Sequence, residues 1–173
     1  DEFYRGINTC NAILERGPKV TGIDATTLKN RLAEAKFLRA HMYFILVQTF
    51  GGVDLRLTET VAPTKVATRA TEAAIYAQIL KDLTEAIPDL ENKARSAQYG
   101  RATRAVAEHL LAMVYLTKGT SSAKAADDFA KAEAAAKAEK LKAEKPKAKE
   151  KEKEKEKEKE KEKEKPKTKE ADK

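Results

Sequence analysis

The chain has 173 residues, 36% of them charged, and a formal net charge of +7. Its single cysteine excludes an internal disulfide and a cysteine-built metal site. Lys145 to Lys173 holds 14 Lys against 9 Glu and one Asp, so only three of the excess charges belong to the rest of the chain, too mild a surplus to define a nucleic-acid surface.

Phe3 to Arg16 predicts a first helix, with Phe3, Ile7, Cys10 or Asn11, and Leu14 on one face. Cys10 in that stripe reads as a small buried thiol, because DEFYRGINT is not the apolar segment that precedes a lipid-bearing cysteine. The chain begins with Asp1, as a mature or excised form would. Gly17-Pro18 stops the helix, and Asp24 or Thr26 caps the next.

That second helix, Leu28 to Gly52, dominates the sequence. Leu28, Leu32, Ala35, Met42 and Leu46 recur near a 3.6-residue period. From Phe37 to Val47 only Arg39 and His41 are strongly polar, so the helix is expected to be buried on several sides. Its dense apolar part is about half of the roughly 20 residues a membrane crossing needs. Gly51-Gly52 ends it, and the short connection makes helices one and two antiparallel.

Val53 to Thr71 lacks a helical period and reads as an extended loop with at most a short strand. Thr71 caps a third helix with Ile75, Ile79 and Leu83 inward, closed by Pro88. A polar connection, Glu91 to Gly100, leads to a fourth helix, Thr103 to Lys118. Val106, Leu110, Met113 and Leu116 or Thr117 are expected inside, with Gly119 as terminator. Ser121 or Ser122 then caps an alanine-rich fifth helix docked through Phe129 and ended by Pro146. The Lys-Glu alternation of 149–165 places like charges at i,i+4 and has no core to join, so a solvated, disordered or frayed-helical tail is expected. This divides the chain into a helical domain, 1–138, and a low-complexity tail, 139–173, in an all-α protein.

Candidate chemistry is sparse. His41 and His109 lie on different helices without metal-ligand spacing, so buried or interhelical hydrogen bonding is expected of them. Arg39 needs a partner among its apolar neighbours; Glu34 is badly spaced, and a carboxylate or carbonyl of another helix makes it an interior tie rather than a ligand clamp. Asp82, Glu85 and Asp89 read as a solvated face. Tyr4, Tyr43, Tyr76, Tyr99 and Tyr115 mostly coincide with apolar stripes and are expected in the core. No phosphate loop, nucleophile elbow or paired acid is present. No catalytic residue, metal ligand or cofactor is assigned.

Four ordered segments, YRGINTCNAIL, RLAEAKFLRAHMYFILVQTFGGVDL, AIYAQILKDLTEAIPDL and YGRATRAVAEHLLAMVYLTKG, resemble the SusD/RagB family of outer-membrane glycan-binding lipoproteins. EAKFLRAHMYF with Phe50-Gly51-Gly52 is the most specific part; Gly100-Arg101, Ala107 and Tyr115-Leu116-Thr117 support it. The resemblance covers roughly residues 3–119. It implies a tetratricopeptide-like array of antiparallel helix hairpins and no catalysis. It also implies a surface subunit that captures oligosaccharide and passes it to a TonB-dependent transporter of the SusC type. Asp54 stands where the family usually has proline. Family members are longer, so the sugar site is expected to be incomplete here, and no glycan contact residue is assigned. The competing reading is a freestanding helical-repeat scaffold that binds a protein in its groove.

Overall fold

A computed structural model describes residues 2–62, 66–92 and 100–138. The chain divides into two compact units, Asp1–Ala136 and Lys137–Lys173. Of the second only 137 and 138 are described, both helical. The expected Lys-Glu tail and the stop at Pro146 lie outside the described residues.

The first unit is helical: α1 (Glu2–Arg16), α2 (Ala25–Phe50), α3 (Glu72–Ala86), α4 (Arg104–Lys118), and helical residues 128–136. Single 3-10 turns at Gly17–Lys19 and Ile87–Asp89 follow α1 and α3, each containing the proline expected to stop the helix. Among the described residues the extended pairing is limited to an isolated antiparallel bridge, Asp54 with Arg69. Asp24 caps α2, its carboxylate accepting from Thr27 N at 2.9 Å, and Thr71 caps α3 in the same way. Gly51 ends α2 at φ +67°, a region that side chains resist.

Consecutive helices run antiparallel, as their pairings show. Gly6 of α1 lies against Met42 of α2, and Gly17, just past the end of α1, lies against Leu32. Asn30, Lys36 and Arg39 of α2 reach Asp89, Glu85 and Asp82 in descending order along α3 and its 3-10 turn. Arg104 at the start of α4 donates to the carbonyls of Ile87 and Pro88. This is the expected hairpin array, with α2 at its centre, packed on α1 and most extensively on α3. Phe37, Phe44 and Leu46 are buried and Met42 packs against the same core. Ile75, Ile79 and Leu83 are wholly enclosed, each such burial worth about 1.5–3 kcal/mol.

Two expectations need correction. Helix α4 turns Ala107, Leu110 and Val114 inward, while Val106, Met113 and Leu116 are exposed, Leu116 to 55%. Two overlapping stripes are periodic on this helix, and the one with the small residue Ala107 is the one that packs. Ser121 does not start a long helix: its hydroxyl accepts from Ala123 N within a turn. The helix begins at 128 and is seated by buried Asp128 and Ala132, with Phe129 exposed. Gly119 follows the last residue of α4 and caps it, as expected, though with an ordinary right-handed φ of −61° rather than a left-handed turn. What it supplies is room, since a Cβ there would sit 3.0 Å from Phe129 Cζ.

Candidate functional site

Tyr4, Asn8, Asn11 and Glu15 recur along α1 at steps of four, three and four, which puts them on one helical face. That face meets the segment 53–62. An extended segment outside a sheet has no ladder to satisfy its backbone, and α1 supplies the partners. Tyr4 OH donates to Asp54 O at 2.8 Å. Asn8 donates to Thr60 O at 3.2 Å and accepts from Thr60 N at 2.6 Å. Asn11 Nδ2 donates to the carbonyls of Arg56 and Thr58, and Glu15 accepts from Glu59 N at 2.8 Å. An Arg16–Glu59 ion pair closes the far end.

Asn11 is also the end of a buried relay. Arg39 is 7% exposed and Asp82 1%. The guanidinium donates twice to the Asp82 carboxylate, at 2.8 Å through both Nε and Nη2, and Nη1 donates to Asn11 Oδ1 at 2.8 Å. Gln78 adds a donor to Asp82. Burial pulls the Arg39 guanidinium down, but the Asp82 carboxylate more than offsets it and the net shift is upward, keeping Arg39 charged. Arg39 is thus the interior tie the sequence implied. Asp82, expected on a solvated face, is the buried partner that satisfies it; Glu85 and Asp89 of the same group are exposed. The relay runs from α3 through α2 and α1 to the carbonyls of Arg56 and Thr58. Tyr43 of α2 reinforces it, donating to Arg56 O at 2.8 Å and accepting from Arg56 N at 2.7 Å. Burial pushes the Tyr43 phenol well above its usual range.

Between α1 and this anchored segment lies a cavity of about 790 Å³. Tyr4, Asn8, Asp54, Arg56 and Thr60 form its polar wall, with Ile7, Val61 and Ala67 on the apolar side. Asp54 and Arg56 pair within that wall at 2.6 Å. A smaller cavity of about 530 Å³ opens between α2 and α4, beside Phe37, Leu38 and Val106.

The other sequence candidates fall elsewhere. Both histidines are exposed, so neither takes the buried position that was one of the two expected, and His41 stacks on Phe37 with ring centres 6.2 Å apart. Tyr43 and Tyr76 are buried as expected, Tyr4 and Tyr115 half-buried, and Tyr99 lies outside the described residues. Cys10 is buried and free, its thiol pushed up by burial. Among the described residues no His, Cys, Asp or Glu cluster has the geometry for a metal ion, and no helix is long and apolar enough to cross a membrane. Sequence reasoning missed the Asp54–Arg56 wall and the face of α1 that holds it. The signal for the latter was the polar spacing of Tyr4, Asn8, Asn11 and Glu15.

The fold is an array of antiparallel helical hairpins with a polar cavity beside α1. The family described as SusD-like, starch-binding and associating with the outer membrane, matches residues 1–116, and this chain belongs to it. Among solved structures, a laminarin-binding SusD-like protein is 38% identical with a TM-score of 0.63, over 68% of this chain and 26% of that one. A SusD-like protein of Bacteroides fragilis is 30% identical with a TM-score of 0.65, over 75% of this chain and 24% of its own. One from Parabacteroides distasonis is 35% identical with a TM-score of 0.62, over 68% and 25%. The chain therefore spans about a quarter of the length of the structures it matches. No curated protein matches it. The family is carbohydrate-binding and associated with the outer-membrane surface.

Proposed function

We propose that this chain is the helical scaffold portion of a non-enzymatic glycan-binding component of an outer-membrane uptake system, and that it packs on a TonB-dependent transporter of the SusC type. The family match over residues 1–116 carries this reading, and the 38% identity to a laminarin-binding protein makes a glucan the first ligand to try. The densely buried α1–α2–α3 core suits a docking body better than a reactive centre. Residues 1–138 are the helical domain in this reading, and 139–173 its charged tail.

The test is co-isolation with a SusC-type transporter from detergent-solubilised outer membranes, with and without laminarin. Stoichiometric recovery of the transporter is expected. A folded chain that fractionates away from the membrane and recovers no transporter contradicts the proposal.

A further inference from the structure

The cavity wall carries hydrogen-bonding capacity that the fold does not consume. Among the described residues, Asp54 Oδ2 accepts from Arg56 Nε at 2.6 Å while Oδ1 accepts from no side chain or backbone group. Among the described residues Arg56 Nη1 reaches only Thr60 Oγ1, at 3.5 Å. Arg5, on the rim, pairs with exposed Glu2 one turn back on its own helix, a contact worth little in water. The three residues with this spare capacity, Arg5, Asp54 and Arg56, all line the same space of about 790 Å³.

This mixture selects among ligand classes. An inorganic anion would gain from Arg5 and Arg56 but meet the Asp54 charge, and a simple cation would meet the two guanidiniums. A ligand whose every polar group both donates and accepts satisfies all three. Sugar hydroxyls do so, and a vicinal pair matches the adjacent acceptor and donor of Asp54 and Arg56, with charge-assisted bonds the stronger kind. Ile7, Val61 and Ala67 and the half-buried Tyr4 ring supply apolar surface for the C–H faces of a pyranose. The volume lies within the ordinary small-ligand range of about 300–1,000 Å³.

We propose that this cavity is a saccharide subsite carried by the helical portion itself. Asp54 accepts from one hydroxyl of a sugar ring, Arg56 donates to its neighbour, and Arg5 reaches the adjoining unit. The Arg39–Asn11 relay fixes the wall by holding the carbonyls of Arg56 and Thr58, so Asn11 and Arg39 are positioning residues. The proposal rests on the glycan-binding reading and assigns it to particular side chains.

An amide-resolved NMR titration of the whole chain with laminaritriose tests this, with inorganic phosphate in a parallel arm. Saturable shifts are expected at Asn8, Asp54, Arg56 and Thr60, with no comparable response to phosphate. Asp54→Asn should weaken binding roughly tenfold, the loss of one charge-assisted bond. Arg5→Gln, a rim change that leaves the fold intact, should weaken it by a smaller factor of about three. Equal affinity in both folded variants, saturation at other amides, or a response to phosphate alone would overturn the subsite. Trisaccharide binding at other amides leaves the family reading standing while removing this site. A chain that binds no sugar also removes the site, and transporter co-isolation then decides the family role independently.

Discussion

Arg39–Asp82 and Lys118–Asp128 are both largely buried ion pairs drawn between consecutive helices, yet they connect very different amounts of structure. The first lies between α2 and α3, both partners buried, with a bidentate fork and Asn11 as third partner. The second joins the end of α4 to the helix at 128. Lys118 Nζ meets both oxygens of buried Asp128 at 2.9 and 2.8 Å, with Ala125 N as a further donor at 2.6 Å. The guanidinium fork organises three helices and a loop, whereas the ammonium, a compact point charge, fastens one short turn. The same asymmetry holds in packing: α2 buries residues around most of its circumference, while α4 leaves Val106, Met113 and Leu116 outside. The α1–α3 part is closed by shape and charge together; the α4 end is held along one stripe.

Breaking the inner pair should cost most. Asp82→Ala leaves a buried guanidinium without its carboxylate, and a loss of about 3–5 kcal/mol is expected by urea denaturation. Replacing both partners, Arg39→Met with Asp82→Leu, should recover much of it, because the desolvation cost goes with the charges. A single-variant loss near zero would erase the distinction between the two regions.

The packing contrast is tested within α4 itself. Leu110→Ala, on the inward stripe, should cost about 2–5 kcal/mol, and Leu116→Ala, on the outward one, no more than about 0.5 kcal/mol. Equal losses would mean that both stripes pack.

The outer pair should matter less and carry a pH signature. Burial pushes the Asp128 carboxyl up, but Lys118 and the Ala125 N–H more than offset this and hold it below the usual carboxylate range. A folded value below the unfolded one stabilises fully above the ordinary Asp value of about 3.9. That contribution is lost as pH falls through the depressed folded value. Asp128→Asn should cost about 1–3 kcal/mol at neutral pH and flatten the acid limb of the stability profile relative to the wild-type chain. A parallel acid limb in the variant would remove Asp128 from the account.

The legible and illegible parts of the sequence divide along the same line. Arg39 stood out because a guanidinium among Phe37, Tyr43 and Phe44 must be paired, so an interior tie followed from solvation alone. Its partner did not stand out, because Asp82 beside Glu85 and Asp89 looks like any exposed acidic face; only the packing of α3 onto α2 turns it inward. On α4 two stripes competed, and side-chain size favoured the wrong one. Asp128 was hidden in an alanine- and lysine-rich run where Phe129 was the conspicuous anchor. The cavity was harder still. Its α1 side is a readable polar spacing, but Asp54 and Arg56 sit in a segment with no period, placed there by hydrogen bonds from residues some 45–50 positions away.

That placement is what the cavity and its proposed ligand depend on, and amide hydrogen exchange reads it directly. The amides of Arg56, Glu59 and Thr60 donate to Tyr43, Glu15 and Asn8 respectively. They should exchange far more slowly than an exposed loop, and Asn11→Ala should accelerate all three. Exchange at the unprotected rate in the wild-type chain would mean that the segment is not held, and the wall of the cavity would not exist.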